Sequence, residues 1–348
     1  MDDIIPERVS LPDSLASVII VTYNHLSFIG ACIDSVQRQD YPHEIIVVDN
    51  ESTDGTPEFI ERTYPVIRLI RNKNNGYGAG NNLGVRYAKG EYVVVLNPDT
   101  IAEKGWLRNL TVSIRSDPAA ITTPKILLYD GSAINTCGNI NHFTGLTFTR
   151  GLNEPPQHYN RMMEVSGVSG ACFAINRDTF LRIGGFDERF FLYNEDSELS
   201  WRAHQHHCRI LYVPSSVVRH NYSLSVSPLK IYYLEKGRYI ILKEFLSPKF
   251  ALILLPSLLT AELLIFGYAL GFGWEGLSAK CRAIREGVML LKSSKEHMDA
   301  RILKHLENRV PSDQLVSGIP GRVFIRLCNI IFSWNFTVFR WIFINRIT

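Results

Sequence analysis

The six cysteines of this 348-residue chain (Cys32, Cys137, Cys172, Cys208, Cys281 and Cys328) contain no C-x-x-C pair. That spacing excludes a disulfide scaffold and a zinc ribbon. The start, MDDIIPERVSLPDSL, lacks the basic residues and apolar run of an export signal, so the cytoplasmic side is the expectation. Charge of one sign is also scarce, with 37 basic and 34 acidic residues for a net +3. There are no internal repeats. The basic residues near the C-terminus are interrupted by long apolar runs, which argues against nucleic acid as a partner. Two catalytic signatures are missing as well. Gly76-Tyr77-Gly78-Ala79-Gly80 lacks dinucleotide-turn spacing and follows the third expected strand rather than the first. Ser166-Gly167-Val168-Ser169-Gly170 does not fit G-x-S-x-G. His204, His207 and Cys208 share a helical face, but no fourth ligand stands at a zinc-like spacing.

What is present is an uneven chain. Residues 1–227 carry 20 Lys and Arg against 25 Asp and Glu, and residues 228–348 carry 17 against 9. A mildly acidic body therefore joins a basic, apolar tail, as expected where a folded domain meets an anionic surface. The first part alternates short β-branched runs with helical spacing. The pattern predicts strands at Ser17–Thr22, Glu44–Val48, Val66–Ile70, Tyr92–Leu96 and Ala120–Leu127. Helices are predicted over Leu26–Arg38, Thr56–Thr63, Ala79–Ala88 and Ala102–Arg115. Such alternation reads as βαβ units in an open, mostly parallel α/β sheet. Residues 130–165 read as a loop-heavy insertion with one hairpin. A helix is expected near Asn194, followed by strands at Ile210–Val213 and Ser216–His220. After Pro228 come an amphipathic helix over Leu229–Leu246 and an apolar run over Phe250–Phe272. A charged stretch, Lys280–Asn308, and an aromatic, Arg-bearing segment, Val323–Ile347, complete the chain.

Four polar loops follow four successive strands, which in a parallel sheet places them on one crevice. They are Thr22-Tyr23-Asn24, Asp49-Asn50-Glu51-Ser52-Thr53-Asp54-Gly55-Thr56, Asn74 to Gly84 (NNGYGAGNNLG) and Asn97-Pro98-Asp99-Thr100. Each alone reads as helix capping or a turn; four in order do not. Together with GACFAINRDTF and GGFDERFFLYNEDSELSWR, over about residues 15–222, they resemble the family 2 glycosyltransferases with the GT-A fold. The nearer resemblance is to the rhamnosyltransferase-like branch that acts on lipid-linked or polysaccharide acceptors.

The resemblance implies roles for individual residues. Thr22, Tyr23 and Asp49 match positions that hold nucleobase and ribose, with Asn24 and Asn50 in the same loops; Asn75, Gly76 and Asn81 match the loop beside the nucleotide. Asp99 matches the last carboxylate of an Asp-x-Asp signature that binds a divalent metal, Mg2+ or Mn2+, and oxygen ligands suit both. The chain departs from that signature at its first position, where Asn97 stands. Asp196 matches the acceptor-activating base, with Glu195, Trp201, Arg202 and His220 on the acceptor and diphosphate side, and His220 also beside the metal. Asn194 is expected to cap the helix that carries the acids.

The implied protein is an inverting enzyme with a GT-A domain over 1–227 and a helical, membrane-associating region over 228–348. Its partners would be a dTDP- or UDP-sugar donor, rhamnose being the first choice, and a polyprenyl-diphosphate-linked glycan at the cytoplasmic face of the membrane. An oligomer is left open. A catalytically weak sugar-nucleotide-binding component of a membrane assembly stays open too, because of Asn97. A sugar-phosphate nucleotidyltransferase is disfavoured, since TYNHLSF stands where a glycine-rich basic loop is needed. Phe250–Phe272 has the 23 residues a bilayer crossing needs, yet Pro256 and Glu262 lie inside it. The tail therefore reads as helices lying in the cytoplasmic leaflet rather than crossing it, with a subdomain packed on the sheet as the alternative.

Overall fold

The computed structural model describes residues 14–222, 226–289, 300–315 and 318–343. The chain begins with β1 (Ala16–Thr22), α1 (Leu26–Gln37), β2 (His43–Asn50), α2 (Thr56–Thr63), β3 (Arg68–Asn72), α3 (Tyr77–Arg86) and β4 (Tyr92–Leu96). These strands pair in parallel in the order β4-β1-β2-β3. Side chains alternate along β1. Val18 and Ile20 pack with Ile29, Ile33 and Trp106 on one face, while Ile19 packs with Val85 and Phe173 on the other. Covering both faces explains why β1 and β4 are fully buried and almost wholly apolar, whereas the edge strand β3 carries Arg68 and Arg71.

Then come β5 (Thr100–Ala102), α4 (Trp106–Ser116), β6 (Ile121–Leu128), β7 (Ile134–Thr136), a hairpin of β8 (Asn139–Asn141) and β9 (Thr147–Thr149), and β10 (Met163–Glu164). Next are β11 (Cys172–Asn176), α5 (Arg177–Arg182), α6 (Glu195–Gln205) and β12 (Ile210–His220). The main sheet runs β10-β12-β6-β11-β4-β1-β2-β3. It is more mixed than the strand pattern predicts, because β11 enters antiparallel between β4 and β6. Chain direction is set by the long insertion before β11, not by the strand's own residues. The two strands expected at 210–220 are one, with a register shift between Val213 and Val217. Pro214 lies at that irregularity, where a missing N–H is tolerated.

The tail forms α7 (Pro228–Phe245), α8 (Pro248–Ile253), α9 (Leu255–Leu270), α10 (Gly273–Met289) and α11 (Gly318–Phe343). The apolar run splits at Pro256, which sits in the first turn of α9, where a proline costs no hydrogen bond. Parts of the expected 280–308 and 323–347 segments lie outside the described residues. No described helix is long and apolar enough to cross a membrane. A shared core joins both halves of the chain, with Phe143, Phe148 and Trp201 packed among Ile240, Phe245, Leu264, Phe332 and Phe339. Glu262 does not face lipid. With Glu235, Arg238 and Lys280 it forms a buried ionic cluster between α7, α9 and α10.

Candidate active site

The parallel register sets Thr22 of β1 directly beside Asp49 of β2. The Ser52 N–H donates to Asp49 Oδ2 at 3.0 Å. Asp49 Oδ1 is buried and has no partner among the described residues. Leaving such an acceptor unfilled costs about 1–3 kcal/mol, so this oxygen is ready for a donor from a ligand. Asn24, in the left-handed region at φ 59°, stitches the first two loops together. Its N–H donates to Ser52 Oγ and its Oδ1 accepts from the Thr53 N–H, both at 2.8 Å. Tyr23 is exposed beside them.

Other expected donor residues turn inward. Asn50 donates to the Gly76 carbonyl at 3.1 Å and accepts from Asn72 at 3.0 Å, bracing the loop after β2 against the loop after β3. Asn81 is fully buried and donates to the Tyr77 carbonyl. Asn75 is exposed on the rim. Gly76 has φ +103°, and an added Cβ would fall 2.5 Å from the Phe191 carbonyl oxygen. Its close approach is thus to the protein's own backbone, where the Tyr77 N–H donates to that oxygen.

The second cluster forms where β5 runs antiparallel to β12, pairing Thr100 with His220. His220 Nε2 lies 3.3 Å from Asp99 Oδ1 and 3.3 Å from Asn97 Nδ2, and its Nδ1 lies 2.9 Å from Asn135 Oδ1. With a proton on Nδ1 the ring donates to Asn135 Oδ1, and the single Nε2 lone pair either accepts from Asn97 Nδ2 or, beside Asp99, binds a cation. One carboxylate and one oriented imidazole suit a divalent cation, with Asn135 as the outer partner that holds the ring. Asn97 adds no charge. The two clusters sense each other: burial lowers the His25 pKa, opposed by the nearby charges of Asp99 and Asp54.

The third cluster is the acidic start of α6. Tyr193 and Asn194 are both left-handed, at φ 65° and 67°, an uncommon conformation for a tyrosine. Asn194 stands at the cap position, but its side chain makes no cap; instead it donates to the Leu234 carbonyl of α7 at 2.7 Å. Gly237 permits that contact, since a Cβ there would lie 2.8 Å from Asn194 Cβ. Asp196 Oδ2 accepts from the Gly170 N–H at 2.8 Å and Asn139 Nδ2 at 3.0 Å, and its Oδ1 accepts from the Ser197 N–H at 2.8 Å. Burial pushes its pKa up, and these donors oppose the shift. Glu195 is more deeply buried, and its Oε2 has no partner among the described residues. Burial first, then the Asp196 charge, raise it to about 8. Both carboxyls are pushed up, so the pair takes up a proton more readily than two exposed carboxylates and titrates as one unit.

Asn97, His220, Glu195 and Asp196 open into one cavity of about 340 Å³ between the sheet, the β8–β9 hairpin and the tail helices. Trp201 and Arg202 are elsewhere. Trp201 is sealed in the core against Phe245, and Arg202 is held by Glu198 and the Ile183 carbonyl. Helical spacing turns both away from Asp196. Asp187, Glu198 and Glu244 crowd together as well, but Arg189 and Arg202 neutralise them. Asn135, Asn139, Tyr77, Tyr222 and Lys230 line the cavity without having been singled out in the sequence. The first two lie in β7 and β8 of the motif-free insertion, and no spacing rule identifies them.

Residues 17–184 match the family described as Glycosyl transferase family 2. The N-acetylglucosaminyl-diphospho-decaprenol L-rhamnosyltransferase of Mycobacterium tuberculosis is 30% identical over 233 residues, which are 59% of this chain and 75% of that protein. A low-salt glycan biosynthesis hexosyltransferase of Haloferax volcanii is 30% identical over 175 residues, 48% of this chain and 55% of the relative. Among solved structures, GalNAc-T7 with UDP, GalNAc and Mn2+ aligns with a TM-score of 0.57 at 19% identity, over 79% of this chain and 56% of that one. That likeness concerns the fold, a GT-A-like mixed sheet with flanking helices. The chain belongs to glycosyl transferase family 2, in its rhamnosyltransferase-like group, and is a glycosyltransferase.

Proposed function

We propose that the chain is an inverting transferase that moves a sugar, rhamnose from dTDP-rhamnose in the first instance, to a hydroxyl of a lipid-linked glycan in cell-envelope polysaccharide synthesis. The observation that carries this reading is the single cavity shared by the Glu195–Asp196 pair and by His220 with Asn97. Asp196 takes the proton of the acceptor hydroxyl as its oxygen bonds to the anomeric carbon and the bond from that carbon to the diphosphate oxygen breaks. In this role Asp196 carries the negative charge of the pair, with Glu195 buried beside it. Thr22, Tyr23 and Asn24 border the nucleoside, and Asp49 Oδ1 accepts the imide N–H of thymine or uracil. Asn50, Gly76 and Asn81 shape the loops, with Asn75 at the rim. Asp99 and His220 would hold Mg2+ or Mn2+, which when bound supplies Lewis-acid stabilisation of the departing diphosphate. The mycobacterial relative's name and the Mn2+ and UDP held by GalNAc-T7 support the acceptor class and the metal.

The tail seats the enzyme on the cytoplasmic leaflet. Leu255, Leu259, Leu263, Phe266 and Leu270 make an exposed stripe on α9, and Val323, Leu327, Ile330, Trp334 and Trp341 make another on α11. Three- and four-residue steps place each stripe on one helical face, as in interfacial helices. Asn97 favours a second reading, a sugar-nucleotide-binding component with little turnover. The test uses the purified chain with radiolabelled dTDP-rhamnose and UDP-sugars, a polyprenyl-diphosphate glycan and either cation. Turnover is expected with the dTDP-sugar. Turnover with UDP-sugars alone changes the donor, binding without turnover supports the second reading, and neither would overturn both.

A further inference from the structure

Two basic side chains line the cavity among its described residues, Lys230 and Arg238. Arg238 is already neutralised: its guanidinium donates to Glu235 and Glu262 inside the ionic cluster. Lys230 is not. No carboxylate lies within ion-pair distance of its ammonium among the described residues; what it meets are two aromatic rings, Tyr193 at 5.3 Å and Tyr222 at 5.7 Å. Rings fix a cation in place but fill none of its three N–H donors.

Three features make this an unfavourable place for a lysine. Burial lowers its pKa. It stands in the first turn of the 18-residue α7, which has no acid in that turn, so it faces the positive end of the helix dipole. It also lacks a counter-ion. A position that breaks several local rules without structural compensation marks a functional group. Its neighbours indicate the function. Tyr193 directly precedes the Asn194–Glu195–Asp196 turn, and the Tyr222 ring lies 5.8 Å from the His220 ring. Lys230 therefore stands between the base and the Asp99–His220 pair.

We propose that Lys230 receives a diphosphate in this cavity, donating to its oxygens between the two clusters. Resting on the transferase reading above, the assignment names the anion that completes the site. The diphosphate is that of the departing nucleoside diphosphate or that of the lipid-linked acceptor, and the experiment separates them. UDP and dTDP are titrated calorimetrically into the full chain and into Lys230→Met and Lys230→Arg, with thermal unfolding as a check on folding. KM is then measured for a polyprenyl-diphosphate glycan and for an alkyl glycoside of the same sugar.

If the leaving group is held, Lys230→Met weakens nucleoside diphosphate binding about tenfold or more, as loss of a charge-assisted hydrogen bond does. Binding of the free nucleoside stays unchanged, and Lys230→Arg restores most of the loss. If the acceptor is held, nucleoside diphosphate affinity is unchanged and KM rises about tenfold for the diphosphate acceptor alone. A folded Lys230→Met protein that matches wild type in both arms overturns the assignment and leaves the transferase reading intact. Wild-type protein that binds neither UDP nor dTDP overturns that reading, and this assignment with it.

Discussion

Two groups of buried charge in this molecule behave in opposite ways. In the tail, Glu235, Arg238, Glu262 and Lys280 cancel one another, and Glu262 is held at about 2, where burial pushing it up is outweighed by Arg238 and Lys280. At the start of α6, Glu195 and Asp196 lie side by side with no ion-pair partner among the described residues, and both are pushed up. The first group links three helices. On the proposed reading the second exchanges a proton with the acceptor. Buried charge with a counter-charge holds helices together here, and buried acids without one are the candidates for chemistry.

The contrast can be tested, first by rate. Asp196→Asn is expected to cut transfer by about 10²–10⁴-fold while leaving donor affinity near wild type, as read from initial rates and calorimetry. Retention of more than about a tenth of the rate would move the base to Glu195. Next is stability. Glu235→Gln leaves Arg238 and Lys280 short of a partner in a closed site and should cost about 3–5 kcal/mol in denaturant unfolding. A cost under about 1 kcal/mol would show the cluster to be solvated rather than structural.

Smaller effects sharpen the comparison within the sheet domain. Asp99→Ala should weaken Mn2+ binding, and Asn97→Asp should tighten it by adding a second carboxylate, both measurable calorimetrically without substrate. Full activity in excess chelator would remove the metal from the site. The last effect is a slope, small per pH unit. Glu195 titrates at about 8 in the fold and near 4.3 unfolded, so between those values the folded state holds the extra proton. Stability should therefore fall as pH rises through this window, by at most about 1.4 kcal/mol per unit. Glu195→Gln should flatten that slope, and an unchanged slope would show that Glu195 is already ionised.

Much of this was legible in the sequence because it is local. β-branched runs predict strands covered on both faces, and β4 ends where its residues say, at Tyr92–Leu96. The α3 glycines suit close packing, and Gly76 before them approaches the Phe191 backbone. Other boundaries shifted: Ala102 went to β5 rather than α4, and β3 begins at Arg68 rather than Val66. Sheet pairing decides such ends, and local spacing cannot sense it.

By itself, the sequence determined the alternation of strands and helices, the four polar loops at strand ends, and the acids at the head of α6. Each depends on neighbours a few residues apart. Only the tertiary structure decided that Asn135 orients His220 and that Asn139 holds Asp196, at separations of 85 and 57 residues. It also turned Trp201 into the core and gave Glu262 its cations. These outcomes depend on which surfaces meet when the hairpin and the tail close over the sheet. Hydrogen bonds and ion pairs across such distances leave no periodic trace along the chain.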